Sequence, residues 1–198
     1  MVNQVSNNGL QEGRLQRKMS SSGLYVSTFR QIMVRHGLTM AVISLVCLIL
    51  TAVLDIAVLE WTPLLAEPWF YLAIMVVMLL FFGIFLAFKR HKIDRTQCMW
   101  LVYLLLISTV EELSFRLILP ALMLGTLGII PAVVLSNLVF ASIHFFTLRW
   151  KFVNCLGAFL GGLGLSRLLT NSEDILLVIL VHWFFTFLNT PTAPKDAL

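Results

Sequence analysis

Apolar residues fall into six runs, roughly 38–59, 69–88, 97–119, 132–146, 152–169 and 175–189, separated by short polar or Pro- and Gly-bearing breaks. Runs near 20 residues suit helices that cross a bilayer, because about 20 residues at 1.5 Å rise span its hydrocarbon core. The pattern predicts an all-α, polytopic transmembrane helical bundle of about six spans. Composition agrees. Hydrophobic residues make up 59% of the 198, and only 12% are charged. A soluble domain carries about 25% charged residues. Mean hydropathy is +0.92.

The flanks divide the chain further. Residues 1–36 read as a cytoplasmic segment, polar and disordered to Ser22, with no apolar stretch resembling a cleaved signal peptide. Within it, 24–36 reads either as an interfacial helix with Tyr25, Phe29, Ile32 and Met33 on one face, or as the basic flank of the first span. Residues 37–190 form the membrane domain and 191–198 a tail. Trp61 is placed as an interfacial anchor. The net charge of +4 does not mark a nucleic-acid binder, since the basic residues sit in short clusters between apolar runs. Basic loops at 89–95 and 149–151 and acidic loops at 60–67 and 170–174 put both termini in the cytoplasm; the expected location is a prokaryotic cell membrane. Cys47, Cys98 and Cys155 lie in separate runs and form neither a disulfide framework nor a metal knuckle. In the fifth run, Gly157 and Gly161 make a GxxxG, and Gly162 and Gly164 add more small surface, which together predict close helix packing.

Against this background the polar intruders stand out. Glu111, Glu112 and Arg116 interrupt the third run. Each ionised group near a bilayer centre costs at least roughly 2.5–3.5 kcal/mol, so the three need partners or a purpose. Glu112 and Arg116 are four apart and can pair on one helix face, while Glu111 points about 100° away. His144 and His182 lie in the fourth and sixth runs. Counted from the outer loops at about 1.5 Å per residue, Glu111, His144 and His182 all fall roughly 12–20 Å deep. Three helices thus bring polar groups to one level, as an intramembrane site requires.

One glutamate with one histidine can orient and deprotonate a water, and a second histidine can donate to the oxyanion that forms when water attacks an amide. Arg116 would keep Glu112 ionised. No cofactor is expected. Zinc held by Glu111, His144 and His182 is the alternative, although no HExxH occurs and adjacent glutamates are awkward ligands from one helix.

Glu111-Glu112-x-x-x-Arg116, then Phe140-x-x-x-His144, then His182 resemble the three motifs of the CAAX protease and bacteriocin-processing (CPBP, or Abi) family, over about residues 97–190. The resemblance implies an intramembrane glutamate-type endopeptidase. It implies that Glu111 and His144 activate the water, that His182 helps form the oxyanion hole, that Glu112 and Arg116 support the site, and that Phe140 packs one turn before His144. The family places Asn four residues after the last histidine; here that position is Thr186. Asn189, seven residues after His182, shares its face about 10 Å along the axis. The expected partners are the lipid bilayer and a membrane-associated protein or peptide tail, either CAAX-type, bacteriocin-type or a sorting signal. Two rivals remain: a non-catalytic immunity or binding protein, for which Thr186 is the clue, and a small proton-coupled transporter.

Overall fold

Thr28 starts the first helix. Its hydroxyl accepts from Gln31 N, and the Gln31 side chain accepts from Thr28 N, closing a capping box. The computed structural model describes residues 26, 28–56 and 67–194. The expectations for 1–22, Trp61 and the 60–66 part of the acidic loop lie outside the described residues. Those residues hold no strand and six continuous helices: α1 (Phe29–Val53), α2 (Pro68–Phe88), α3 (95–127), α4 (Ile129–Thr147), α5 (Phe152–Ser172) and α6 (Ile175–Asn189). The all-α bundle with about six spans is therefore present. Four helices are long and apolar enough to cross a membrane by themselves, namely α1, α2, α4 and α5.

Several boundaries move, each for a local reason. α1 begins at Phe29, not at 38, so 29–36 of the stretch read as interfacial is the first part of a candidate span, while Tyr25 lies outside the described residues. Pro120, Gly125, Gly128 and Pro131 read from sequence as a loop after the third run, but Pro120 does not end α3, which continues to Leu127. The break comes at Gly128, which alone there adopts a positive φ, 75°. Glu173, at φ 53°, ends α5, and Asp174 caps α6 by accepting from Leu176 N and Leu177 N.

Each helix buries one face and leaves the other bare. On α1, Leu45, Ile49 and Val53 are exposed one turn apart; on α2, Val77, Leu80, Ile84 and Phe88 form a similar stripe. In water such patches would be a liability; in lipid they are the solvent-facing surface. The opposite faces pack. Phe82 of α2 stacks on Phe187 at 4.0 Å between centroids and meets Trp183 edge-on at 5.0 Å, while Phe29 of α1 meets Trp100 of α3 at 5.2 Å. The chain after α6 is tied to α3: Trp100 Nε1 donates to Thr190 O at 2.9 Å and Gln97 Nε2 to Pro191 O at 2.7 Å.

The close packing predicted for the glycines of this helix holds at Gly162 and not at the GxxxG pair. A side chain at Gly157 or Gly161 would meet nothing within 4 Å. Those glycines line a cavity. The tight glycine is Gly162, about 100° round the helix, where a Cβ would lie 2.2 Å from Asn137 Oδ1 and 3.0 Å from Arg116 Nη2. Asn137 cannot retreat freely, because its Nδ2 donates to Val133 O and Ser166 Oγ. Gly162→Ala is expected to cost about 1–3 kcal/mol by overpacking, whereas Gly161→Ala should leave stability unchanged or slightly raised. Thermal unfolding in detergent checks this pair; equal melting temperatures for the two variants would refute it.

Candidate active site

Pro120 has no N–H, and its ring crowds the carbonyl four residues back, so a regular helix cannot pass unchanged through 116–120. α3 responds with a π-helical turn over Leu113–Ile118, in which Leu119 N bonds to Ser114 O. Neighbours meet the loosened ladder: Ser136 Oγ of α4 donates to Phe115 O at 2.6 Å, and Ser44 Oγ of α1 lies 2.8 Å from Ser114 Oγ. A second π turn occurs in α1 over Met33–Gly37, where Leu38 N bonds to Met33 O and Thr39 Oγ1 donates to Arg35 O at 2.6 Å. The carboxylates directly precede the first widened turn, and His36 lies in the second.

Glu111 is the hub. His36 Nε2 lies 2.8 Å from Glu111 Oε1, His144 Nε2 lies 3.6 Å from the same oxygen, and His182 Nε2 lies 3.7 Å from Oε2. The His36 contact is an aligned hydrogen bond. His144 Nδ1 donates to Phe140 O at 2.9 Å, so in the neutral ring Nε2 carries the lone pair that faces Glu111. Behind His182 stands Glu112, whose Oε1 is 2.6 Å from His182 Nδ1 and whose Oε2 is 3.2 Å from Arg116 Nε. These last two are ionic approaches without the alignment of a hydrogen bond. Arg116 also lies over the Phe140 ring, 4.1 Å from its centroid. The expected Glu112–Arg116 pairing at i,i+4 is thus present, with both side chains fully buried. Glu111, Glu112, Arg116, His144 and His182 form one cluster, and Phe140 is its packing partner.

The cluster opens into a cavity of about 730 Å³. Thr186 and Asn189 line its α6 wall, and Gly157, Gly161, Gly162 and Gly164 line its α5 wall. A volume of this order is that of a ligand pocket. His144 lies one turn before the end of α4, so the cluster sits close to the basic 149–151 loop.

His36 is the residue that sequence reasoning missed. The apolar pattern leaves it in the flank of the first span, yet it is buried and touches Glu111. A signal is there: Phe29, Ile32, His36 and Met40 recur at three- and four-residue spacing and are all buried on one face of α1.

A metal could be held by His36, Glu111 and His144, whose ligand atoms lie within 4.8 Å of one another. This set differs from the sequence-based alternative by exchanging His182 for His36. Two ligands on one tetrahedral zinc at about 2.0–2.1 Å would sit roughly 3.3 Å apart. The His36–Glu111 separation of 2.8 Å is that of a hydrogen bond, so zinc would have to push the pair open.

Among known proteins, the family model described as type II CAAX prenyl endopeptidase Rce1-like matches residues 94–188, just under half of the chain. No curated protein and no solved structure matches.

Arg116→Ala would leave Glu112 buried beside only a histidine. Breaking a buried ion pair costs about 3–5 kcal/mol, and removing both charges restores much of it. The single variant should therefore unfold well below wild type, and Arg116→Ala with Glu112→Gln should recover most of the loss. Thermal melts of the purified protein decide; an Arg116→Ala protein as stable as wild type would show that the pair contributes nothing.

Proposed function

We propose that this integral membrane protein belongs with the type II CAAX prenyl endopeptidases whose family model matches residues 94–188, and that it hydrolyses a peptide bond in a membrane-associated protein tail. The observation that carries the reading is the convergence of His144 and His182 on the Glu111 carboxylate at the wall of a 730 Å³ cavity. Separations of 3.6 and 3.7 Å are too long for good direct hydrogen bonds, so both imidazoles are free to turn to a water held beside the carboxylate.

In this reaction a water lies between Glu111 and His144. Glu111 removes a proton as the water oxygen bonds to the scissile carbonyl carbon, and the carbonyl π pair moves to its oxygen. His182, held from behind by Glu112 and Arg116, donates from Nε2 to that oxyanion as the imidazolium, whose Nδ1–H faces Glu112, and Thr186 supplies a shorter donor where the family carries Asn. The tetrahedral intermediate collapses, the C–N bond breaks, and the proton on Glu111 passes to the leaving nitrogen. Phe140 fixes His144 through its carbonyl and Arg116 through its ring. No metal takes part. Among tails, the CAAX type accords with the family; bacteriocin-type peptides and sorting signals are the alternatives.

Glu111→Gln keeps the shape and removes the base. Cleavage of tagged tail peptides, read by mass spectrometry and normalised to folded protein, should fall by at least about 10²-fold. His144→Ala should be similarly damaging, and the double variant little worse, because the two act as one unit. Thr186→Val should cost less than Glu111→Gln, and Thr186→Asn should retain or raise the rate. Activity should survive zinc chelators; loss restored by zinc would move the reading to the His36, Glu111 and His144 metal set. A binding protein would keep its phenotype in Glu111→Gln, and a transporter would yield no cleaved product in any variant.

We also place both termini on the cytoplasmic side, which brings the 89–95 and 149–151 basic loops inside. Arg35 fits this, since it donates to Phe146 O and Thr147 O at the end of α4 and so puts the start of α1 beside the 149–151 loop. A reporter fused at Lys92 should read as internal; an external signal overturns the orientation.

A further inference from the structure

We infer that His36 is a positioning residue for Glu111, so that α1 completes a site whose other members all lie within residues 94–188. The inference rests on the protease reading above and extends it to a part of the chain outside the family match.

His36 makes the aligned hydrogen bond to the Glu111 side chain among the described residues, at 2.8 Å, and is itself 3% exposed. The other two histidines stand further off, at 3.6 and 3.7 Å. A glutamate has three side-chain torsions, and a hub facing a cavity holds one rotamer only if something fixes an oxygen. His36 does this with a donor that cannot wander. Its Nδ1 lies 2.8 Å from Thr147 Oγ1, and that hydroxyl lies 2.7 Å from Ile143 O in the last turn of α4. Next to it, Arg35 Nε donates to Thr147 O at 3.1 Å. The imidazole is therefore gripped at both nitrogens, one by α4 and one by α3. The His36 and His144 rings also touch, with centroids 4.7 Å apart, which closes the side of the site facing α1.

The π turn at Met33–Gly37 explains how α1 reaches the hub. One extra residue in the turn rotates the remainder of the helix by about 100° relative to a regular one, and such turns recur at functional sites. Here the widened turn contains His36 itself.

A residue acting through Glu111 changes the rate of the chemical step more than substrate binding, because misplacing a reacting group by about 1 Å can cost up to ~10²-fold. The test uses full-length protein in liposomes and a farnesylated peptide ending in a CAAX sequence. His36→Leu, which fills the space, should lower kcat about 10- to 100-fold with KM changed less than ~3-fold. His36→Gln, whose amide N–H reaches toward the same oxygen, should recover most of the rate. Thr147→Val should give an intermediate loss and add little to His36→Leu. Wild-type kcat in His36→Leu, or equal losses in the Leu and Gln variants, would overturn the inference. Two arms separate it from the protease reading. If Glu111→Gln cleaves normally, the protease reading falls. Melting temperatures of His36→Leu, Glu111→Gln and the double variant judge the contact without any activity: the double variant should melt above the sum of the single losses, and additive losses overturn the contact.

Discussion

The structure depends on one electrostatic constraint: ionised groups buried in a lipid-facing bundle must satisfy one another. Glu112 and Arg116 are fully buried, and an isolated charge there would be expelled or neutralised. Their pairing along one helix face leaves each with spare capacity. Arg116 uses its guanidinium on the Phe140 ring, and Glu112 uses its other oxygen on His182. Helices α3, α4 and α6 are therefore held in register by polar contacts as well as by apolar packing, which in lipid lacks the drive it has in water.

The same constraint shapes the backbone. Pro120 removes a hydrogen bond just after the charged residues, and the π turn that absorbs it releases Phe115 O to Ser136 of α4. A second π turn lets α1 present His36. Irregular turns are tolerated at this depth because side chains of neighbouring helices meet the freed groups. They also aim the polar residues, since a regular α3 and α1 would direct them elsewhere.

Packing and cavity divide α5. Gly162 lets α5 approach Asn137 and Arg116, while Gly157, Gly161 and Gly164, on another face, leave open space opposite α6. α5 and α6 thus form the walls of the chamber into which Glu111 faces. Gly162 touches the cavity as well, so it serves both close packing and access.

Sequence alone determined the helical class, roughly the number of helices and the identity of five cluster residues. Apolar run length fixes spans in lipid, and charged residues in such runs are too costly to be incidental. The i,i+4 spacing of Glu112 and Arg116 is enough to assign their pairing, because it needs only one helix. Three things needed the tertiary structure. Pro120 reads as a terminator because the compensating Ser136 comes from another helix. The glycines of α5 read as a packing face because their periodicity does not say which face meets α4. His36 reads as a flanking residue because its partners, Glu111 and Thr147, lie 75 and 111 residues away in sequence, and only the folding of α1 against α3 and α4 brings them together.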